Sequence, residues 1–169
     1  MDTLRLARGG AVVTGVDFSP AAIDTATALA RRCGLDESAT FVCANVYDAV
    51  SAVSRRRFDV VYVSLGSLCW LPDIDAWSTV VSELLVRGGQ LYVHDVHPLS
   101  TCLDDDGLRV AYPYFEDQEN PLVFDNDTTY TDGGAISAAR TYEWSHSLSE
   151  IVTALISQGL VLDALEEHP

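Results

Sequence analysis

Short apolar runs alternate with amphipathic segments along most of the chain. Apolar residues recur at three- and four-residue spacing at Ile23, Ala26 and Ala30, again over residues 73–87, and more weakly over residues 49–56. This spacing predicts helices with one buried face. The runs between them are nearly continuous in apolar residues, which is typical of strands covered on both faces of a parallel sheet. Four such runs predict an α/β fold with crossover helices, and they cover residues 11–17, 40–44, 58–64 and 90–96.

Residues with known preferences for helix ends mark the boundaries of the predicted helices. Ser19 can cap the free amides of the first long helix, and Pro20 suits its first turn because the missing N–H has no partner there. The glycine pair at 88–89 predicts the end of a later helix. The last helix opens on a capping box at residues 147–150 and precedes a predicted strand at 160–165.

Residues 98–137 interrupt the alternation of strands and helices with acidic residues, prolines and glycines. Two runs with strand character, residues 122–130 and 136–144, flank a turn signal at residues 132–134. Asp-Gly between two such runs predicts an antiparallel hairpin. We therefore interpret residues 1–169 as one domain with an insertion at 98–137.

Charge and cysteine usage narrow the class of protein. The chain has no lysine and a formal net charge of −15, and its only run of arginines is Arg55, Arg56 and Arg57. Such a chain repels a phosphate backbone, so nucleic acid is not an expected partner. No apolar run approaches the length of about 20 residues that spans a membrane, and residues 1–10 lack the apolar core of a secretory signal. Four cysteines without metal or disulfide spacing predict free thiols, and we expect a cytoplasmic protein.

Polar side chains follow each predicted strand at its carboxyl end, the edge where open α/β sheets bind ligands. Asp17 ends the first strand, Asn45 follows the second, and residues 64–67 follow the third. A carboxylate in the position of Asp17 binds the ribose hydroxyls of an adenosine cofactor. A carboxylate at this position would also stabilise the N-terminus of the helix that begins after Ser19, through the helix dipole. These two interpretations are equally supported, and the first does not distinguish a dinucleotide from S-adenosylmethionine.

Four segments in register resemble the conserved stretches of class I S-adenosylmethionine-dependent methyltransferases, particularly the small-molecule group that includes ubiquinone/menaquinone-type C-methyltransferases. Residues 13–23 resemble the second conserved stretch, and 41–48 resemble the stretch that contacts adenine. Residues 58–61 and 84–91 resemble the fourth strand and the passage from a helix into the fifth strand. The resemblance implies a Rossmann-like sheet, S-adenosylmethionine as cofactor and a small-molecule methyl acceptor. Oligomeric state does not follow from it.

The resemblance also implies roles for individual residues. Asp17 would bind the ribose and Phe18 would pack against the adenosine, with Asn45 and Val46 flanking the adenine. The family more often has Asp where Asn45 stands, but an amide still offers a hydrogen bond to the exocyclic amine. The resemblance also implies that three residues would lie beside the methionine part and the transferred methyl group of the cofactor: Ser64, Leu65 and Gly66.

Two parts of the family pattern have no counterpart in the sequence. Residues 2–8 resemble the remainder of the helix that follows a glycine-rich loop, but the loop and the strand before it are missing, as is the last, antiparallel strand. We therefore expect a sheet that is incomplete at both ends, with unpaired apolar strand edges. We also expect the 169-residue chain to bind S-adenosylmethionine either not at all or with an affinity weaker than micromolar.

Histidines at and beyond the strand ends are the candidate general bases. His94, Asp95 and His97 end the fourth strand, where alternation points His94 and His97 to opposite faces and so argues against a metal site. His146 alternates onto one face with Tyr142 and Trp144 and could line an acceptor pocket. We carry His94, His97 and His146 as catalytic candidates and no residue as a metal ligand.

Two other classes of function stay open. The missing loop and strand favour a non-catalytic remnant or an interaction module. A nicotinamide-dependent oxidoreductase is also compatible with Asp17, although a chain without lysine cannot carry the Tyr-x-x-x-Lys pair of the short-chain type.

Overall fold

The computed structural model describes residues 2–104, 106, 109–115, 117–125 and 140–168. The chain divides into two compact units, one formed by residues 1–61 and 79–91 and the other by residues 62–78 and 92–169. The helices are α1 (Asp2–Arg8), α2 (Pro20–Arg32), α3 (Ala49–Ala52), α4 (Ile74–Leu84) and α5 (Leu148–Ser157). The strands are β1 (Val13–Asp17), β2 (Ala39–Cys43), β3 (Phe58–Val63), β4 (Leu85–Val93), β5 (Leu122–Asp125) and β6 (Arg140–Glu143). None of the described helices is both long and apolar enough to cross a membrane.

The first unit is built around a parallel pair of strands. β1 and β2 pair in register from Val13 opposite Ala39 to Asp17 opposite Cys43. Gly15 lies where an added Cβ would come within 3.0 Å of the Phe41 ring, so the absence of a side chain lets the strands and ring pack closely. One hydrophobic cluster of this unit is formed by three small buried residues of α1, α2 and β2, with four partly buried residues packed against them: Ala7, Ala30 and Ala39, with Leu4, Val13, Leu35 and Phe41.

α2 begins where the sequence predicts. The Ser19 hydroxyl accepts a hydrogen bond from the Ala22 amide at 3.3 Å, and Pro20 occupies the first turn. Gly34 follows the helix with φ +66°, a conformation that costs a residue without a side chain little. β1 ends at Asp17 and α2 begins at Pro20, so the N-terminus of α2 follows the carboxyl end of β1 along the chain.

The glycine pair at 88–89 lies inside β4 and does not end α4, so that prediction is wrong. α4 ends at Leu84 and β4 begins at Leu85, five residues before the predicted strand. Gly88 has φ +79°, and a Cβ on Gly89 would lie 3.0 Å from the backbone oxygen of Asp59. The two glycines therefore permit close approach of β4 to the backbone of β3, with which it forms a two-stranded sheet.

Other boundaries also differ from the prediction. α3 covers four residues, and Ser54 and Arg55, both at φ 56°, turn the chain before residue 56. Residues 160–165 form no strand, because none of the described strands pairs with them. The expectation that β1 is covered on both faces is wrong within the described residues, where its side chains are half-buried or exposed.

In the second unit, β5 pairs antiparallel with β6, from Leu122 opposite Glu143 to Asp125 opposite Arg140. The turn predicted at 132–134 and the remainder of the two runs lie outside the described residues, so the complete hairpin stays a prediction. The capping box is confirmed: the Ser147 hydroxyl accepts from the Glu150 amide at 3.2 Å, and the Glu150 carboxylate accepts from the Ser147 amide at 2.7 Å. α5 therefore begins where the sequence predicts.

Candidate functional site

The carboxyl end of β1 presents a carboxylate and an aromatic ring to solvent. Asp17 is exposed, and its Oδ1 accepts a hydrogen bond from the Ser19 amide at 2.8 Å. Within the described part of the chain, no hydrogen bond is made by Asp17 Oδ2. The neighbouring Phe18 side chain is 77% exposed. The helix-capping interpretation thus accounts for one carboxylate oxygen, and the other remains able to accept a hydrogen bond from a ligand.

The end of β2 lies beside the end of β1. The Ala44 amide donates to the Asp17 carbonyl at 2.9 Å, which continues the strand pairing past Cys43. Asn45 then caps a short 3-10 turn, because its Oδ1 accepts from the Tyr47 amide at 3.1 Å. The amide group and one lone pair of Oδ1 remain for other partners. The strands therefore bring Asp17, Phe18, Asn45 and Val46 together at one sheet end.

In the second unit, the segment after β3 forms a tight loop. The Ser67 hydroxyl donates to the Ser64 carbonyl at 2.6 Å, and Gly66 has φ +74°. Leu65 is 59% exposed, whereas Leu68 is buried. The loop therefore turns sharply at Gly66 and presents Leu65 to solvent.

Asp95 binds this loop with both carboxylate oxygens. Oδ1 accepts from the Gly66 amide at 2.6 Å and the Val96 amide at 2.8 Å. Oδ2 accepts from the Ser67 amide at 3.2 Å and the Leu68 amide at 3.1 Å. Sequence reasoning placed Asp95 at a strand end but missed these partners, since a strand pattern does not reveal which loop faces the next strand. Two features of the sequence could have indicated this contact: Gly66, which suits a positive φ, follows β3, and the acidic Asp95 follows β4.

The two histidines near the end of β4 differ in their surroundings. The His94 side chain is exposed, and its backbone amide donates to the Val63 carbonyl at 3.0 Å. His97 Nε2 lies 2.6 Å from Glu167 Oε1, and His97 Nδ1 accepts from the Leu99 amide at 3.1 Å. Because an N–H donates to Nδ1, the neutral ring carries its proton on Nε2, facing the carboxylate. Both nitrogens of His97 therefore have protein partners.

The predicted aromatic wall does not form one exposed surface. His146 is buried, with 5% exposed, and its Nε2 lies 2.7 Å from the Leu71 carbonyl, which can only accept. The Trp144 indole donates to the Gln118 carbonyl at 3.3 Å, while its backbone amide donates to the Cys69 carbonyl at 2.8 Å. Trp144 and His146 thus brace the segment at 69–71, whereas Tyr142 is 48% exposed.

The Cys69 thiol is strongly disfavoured as a thiolate. Burial, followed by the negative charges of Glu143 and Asp95, raises the pKa of Cys69 to about 12. A thiol with this pKa is almost entirely protonated at neutral pH and is a poor nucleophile. The raised pKa therefore disfavours a nucleophilic role for Cys69, whose thiol donates to the Gly66 carbonyl at 3.8 Å.

The rates at which the free cysteines react with an alkylating reagent test the burial and the raised pKa of Cys69. At pH 8.5 we expect iodoacetamide to label Cys69 at least about a hundredfold more slowly than the exposed Cys33 and Cys43, because only the thiolate reacts. The Cys69 rate should rise about tenfold per pH unit up to the raised pKa. Mass spectrometry of digested samples gives all rates in one experiment. Equal labelling of Cys69 and Cys43 at pH 8.5 contradicts the burial described above.

Within the described residues, no three His, Cys, Asp or Glu side chains gather in a group that could hold a metal ion. The strand ends instead present two groups suited to hydrogen bonding, an open carboxylate oxygen and a side-chain amide, beside an exposed aromatic ring. A carboxylate oxygen can accept from a ribose hydroxyl, and a side-chain amide can hydrogen-bond the edge of a base.

Solved structures share the fold of this chain. A protein assigned as an S-adenosylmethionine-dependent methyltransferase from Listeria monocytogenes matches with a TM-score of 0.58 and 15% identity, over 86% of this chain and 62% of that chain. An S-adenosylmethionine-dependent methyltransferase from Clostridium acetobutylicum matches with a TM-score of 0.55 and the same identity and coverage. This chain therefore spans 62% of the length of each, and the likeness establishes a Rossmann-like α/β fold.

No curated protein matches the sequence. The sequence pattern of a family described as "Methyltransferase domain" does match, over residues 1–89. These residues make up more than half of the chain and include both strands whose ends carry Asp17 and Asn45. The chain therefore belongs to the methyltransferase domain family.

Proposed function

We propose that the protein takes part in methyl transfer from S-adenosylmethionine to a small-molecule acceptor, with adenosine bound at the ends of β1 and β2. The observation that carries this proposal is the open Oδ2 of Asp17, held at a sheet end by the bond from Ser19 to Oδ1. The family match over residues 1–89 and the names of the two structural neighbours support it. The resemblance to ubiquinone/menaquinone-type enzymes supports a small-molecule acceptor.

The residues at this end fit an adenosyl group. Asp17 would accept a hydrogen bond from a ribose hydroxyl, and the exposed Phe18 ring would cover one side of the nucleoside. Asn45 would bind the adenine edge through the lone pair that Tyr47 does not use. Val46 would supply apolar contact beside it. The resemblance assigns Ser64, Leu65 and Gly66 to the methionine part of the same cofactor.

When bound, the sulfonium cofactor supplies an activated methyl group, so the task of the protein is alignment and exclusion of water. A base is needed only for an acceptor that loses a proton. Of the three candidate bases, His94 is exposed, whereas His97 and His146 each have a nitrogen committed to Glu167 or Leu71. We therefore propose His94 ahead of the other two. We also propose that the protein is cytoplasmic and that residues 98–137 are an insertion in the domain.

A ligand titration followed by NMR tests the function, because it detects dissociation constants in the millimolar range. S-adenosylhomocysteine is added to the uniformly ¹⁵N-labelled 169-residue chain, and NAD⁺ is added to a second sample. We expect S-adenosylhomocysteine to shift the amide signals at 17–18 and 45–46 at a lower concentration than NAD⁺, which carries the same adenosine but lacks the methionine part. The reverse result supports the oxidoreductase alternative, and no shift with either ligand contradicts adenosine binding by this chain.

A further inference from the structure

The three amides at Gly66, Ser67 and Leu68 point at a single carboxylate. Gly66 lies in the left-handed region at φ +74°, and Ser67 in the right-handed region at φ −98°, ψ −37°. Successive residues of opposite hand turn their N–H groups to the same side and form a concave anion-binding nest. In this chain Asp95 occupies the nest with its own oxygens.

The Asp95 carboxylate is the group that satisfies these amides. It is half-buried and accepts four backbone hydrogen bonds, one of them from its own neighbour Val96. An amide nest emptied of its anion leaves three donors without their partner, which destabilises this conformation of the loop. The loop has other braces, including Ser67 to Ser64, but these join residues within the loop. Asp95 alone among these bonds ties the loop to the end of β4.

We propose that Asp95 is a positioning residue that holds the loop at 64–68 in the conformation required beside the cofactor. This inference rests on the proposed function for the role of Ser64, Leu65 and Gly66, but the nest itself is independent of it. Asp95 donates no proton to a substrate and touches no ligand in this role. Its charge acts by fixing the backbone of the loop at 64–68, and that loop contacts the ligand.

Removal of the carboxylate and its replacement by a free anion test the proposal. In Asp95→Ala we expect the Gly66, Ser67 and Leu68 amides to exchange with D₂O at least tenfold faster than in the original chain. Sodium formate should bind the emptied nest and restore slow exchange, while sodium chloride at equal ionic strength should not. Asp95→Asn keeps one accepting oxygen and exchanges the other for an NH₂ group, so its exchange should lie between that of the original chain and that of Asp95→Ala, and formate should have no further effect because the side chain fills the space.

A matched control removes another carboxylate from the same unit. Asp73 accepts from the Ala76 amide at 2.8 Å near the start of α4. Asp73→Ala should destabilise that helix and leave exchange at 66–68 unchanged, with or without formate. If Asp95→Ala keeps slow exchange at these amides, or if formate fails to restore it, the nest is overturned.

The positioning role requires a second readout in the same samples. We expect Asp95→Ala to bind S-adenosylhomocysteine at least fivefold more weakly, and formate to recover the affinity. A purely stabilising role predicts faster exchange with unchanged affinity, and this outcome overturns the positioning role while leaving the proposed function intact. If the original chain does not bind S-adenosylhomocysteine, the proposed function fails and with it the role beside the cofactor, whereas the nest is still decided by exchange and formate rescue.

Discussion

Replacement of Trp77 by alanine is expected to lower the free energy of unfolding by about 3–5 kcal/mol. Trp77 is 2% exposed and lies in α4 on the stripe with Ile74 and Val81, which are also buried. Truncation of such a ring removes its burial and leaves a cavity that the surrounding chain fills only in part. Small domains are stable by only about 5–15 kcal/mol, so the loss is a large share of the total.

Urea unfolding followed by circular dichroism measures this effect. Trp70, which is 42% exposed, provides the matched control, because Trp70→Ala removes the same side chain from a position with less burial. Trp77→Phe keeps an aromatic ring and provides a folded variant with a smaller expected loss if Trp77→Ala fails to fold. Equal losses for Trp77→Ala and Trp70→Ala contradict the burial of α4.

The second large effect is expected at Asp17. Asp17→Asn keeps an oxygen that can accept the Ser19 amide and exchanges the open acceptor for an NH₂ group. Hydrogen bonds to charged groups contribute about 1.5–3 kcal/mol, which corresponds to a loss of affinity of roughly tenfold or more for S-adenosylhomocysteine. The NMR titration of the original chain, repeated on the variant, measures this change.

Asp24→Asn is the control for charge. Asp24 is exposed on α2, so its replacement makes the same change in net charge at a position that the proposed site does not use. Affinity should be unchanged in this variant. Comparable losses for Asp17→Asn and Asp24→Asn indicate a general electrostatic effect and contradict a specific ribose contact.

Local signals allowed much of the first unit to be predicted. The strands β1, β2 and β3 lie within two residues of the predicted runs, because a short apolar run bounded by polar residues has few other structures. Ser19 and Pro20 located the start of α2, since both act on the backbone within one turn. For the same reason Ser147 and Glu150 located the start of α5.

Features that depend on distant partners were not predictable. Gly88 and Gly89 are as suited to a helix end as to a strand, and only the approach of the Asp59 backbone decides between them. His146 follows an alternating strand pattern that gives no sign of the Leu71 carbonyl, 75 residues away. Asp95 was identified as a polar strand end, but its four amide partners follow from how the loop after β3 turns.

A crystal structure of this chain soaked with millimolar S-adenosylhomocysteine tests the central claim most directly. We predict a ribose hydroxyl within hydrogen-bond distance of Asp17 Oδ2, with Oδ1 still on the Ser19 amide and the adenine beside Phe18 and Asn45. An adenosine bound elsewhere, with Asp17 engaged only by Ser19, would contradict the assignment of this sheet end as the cofactor site.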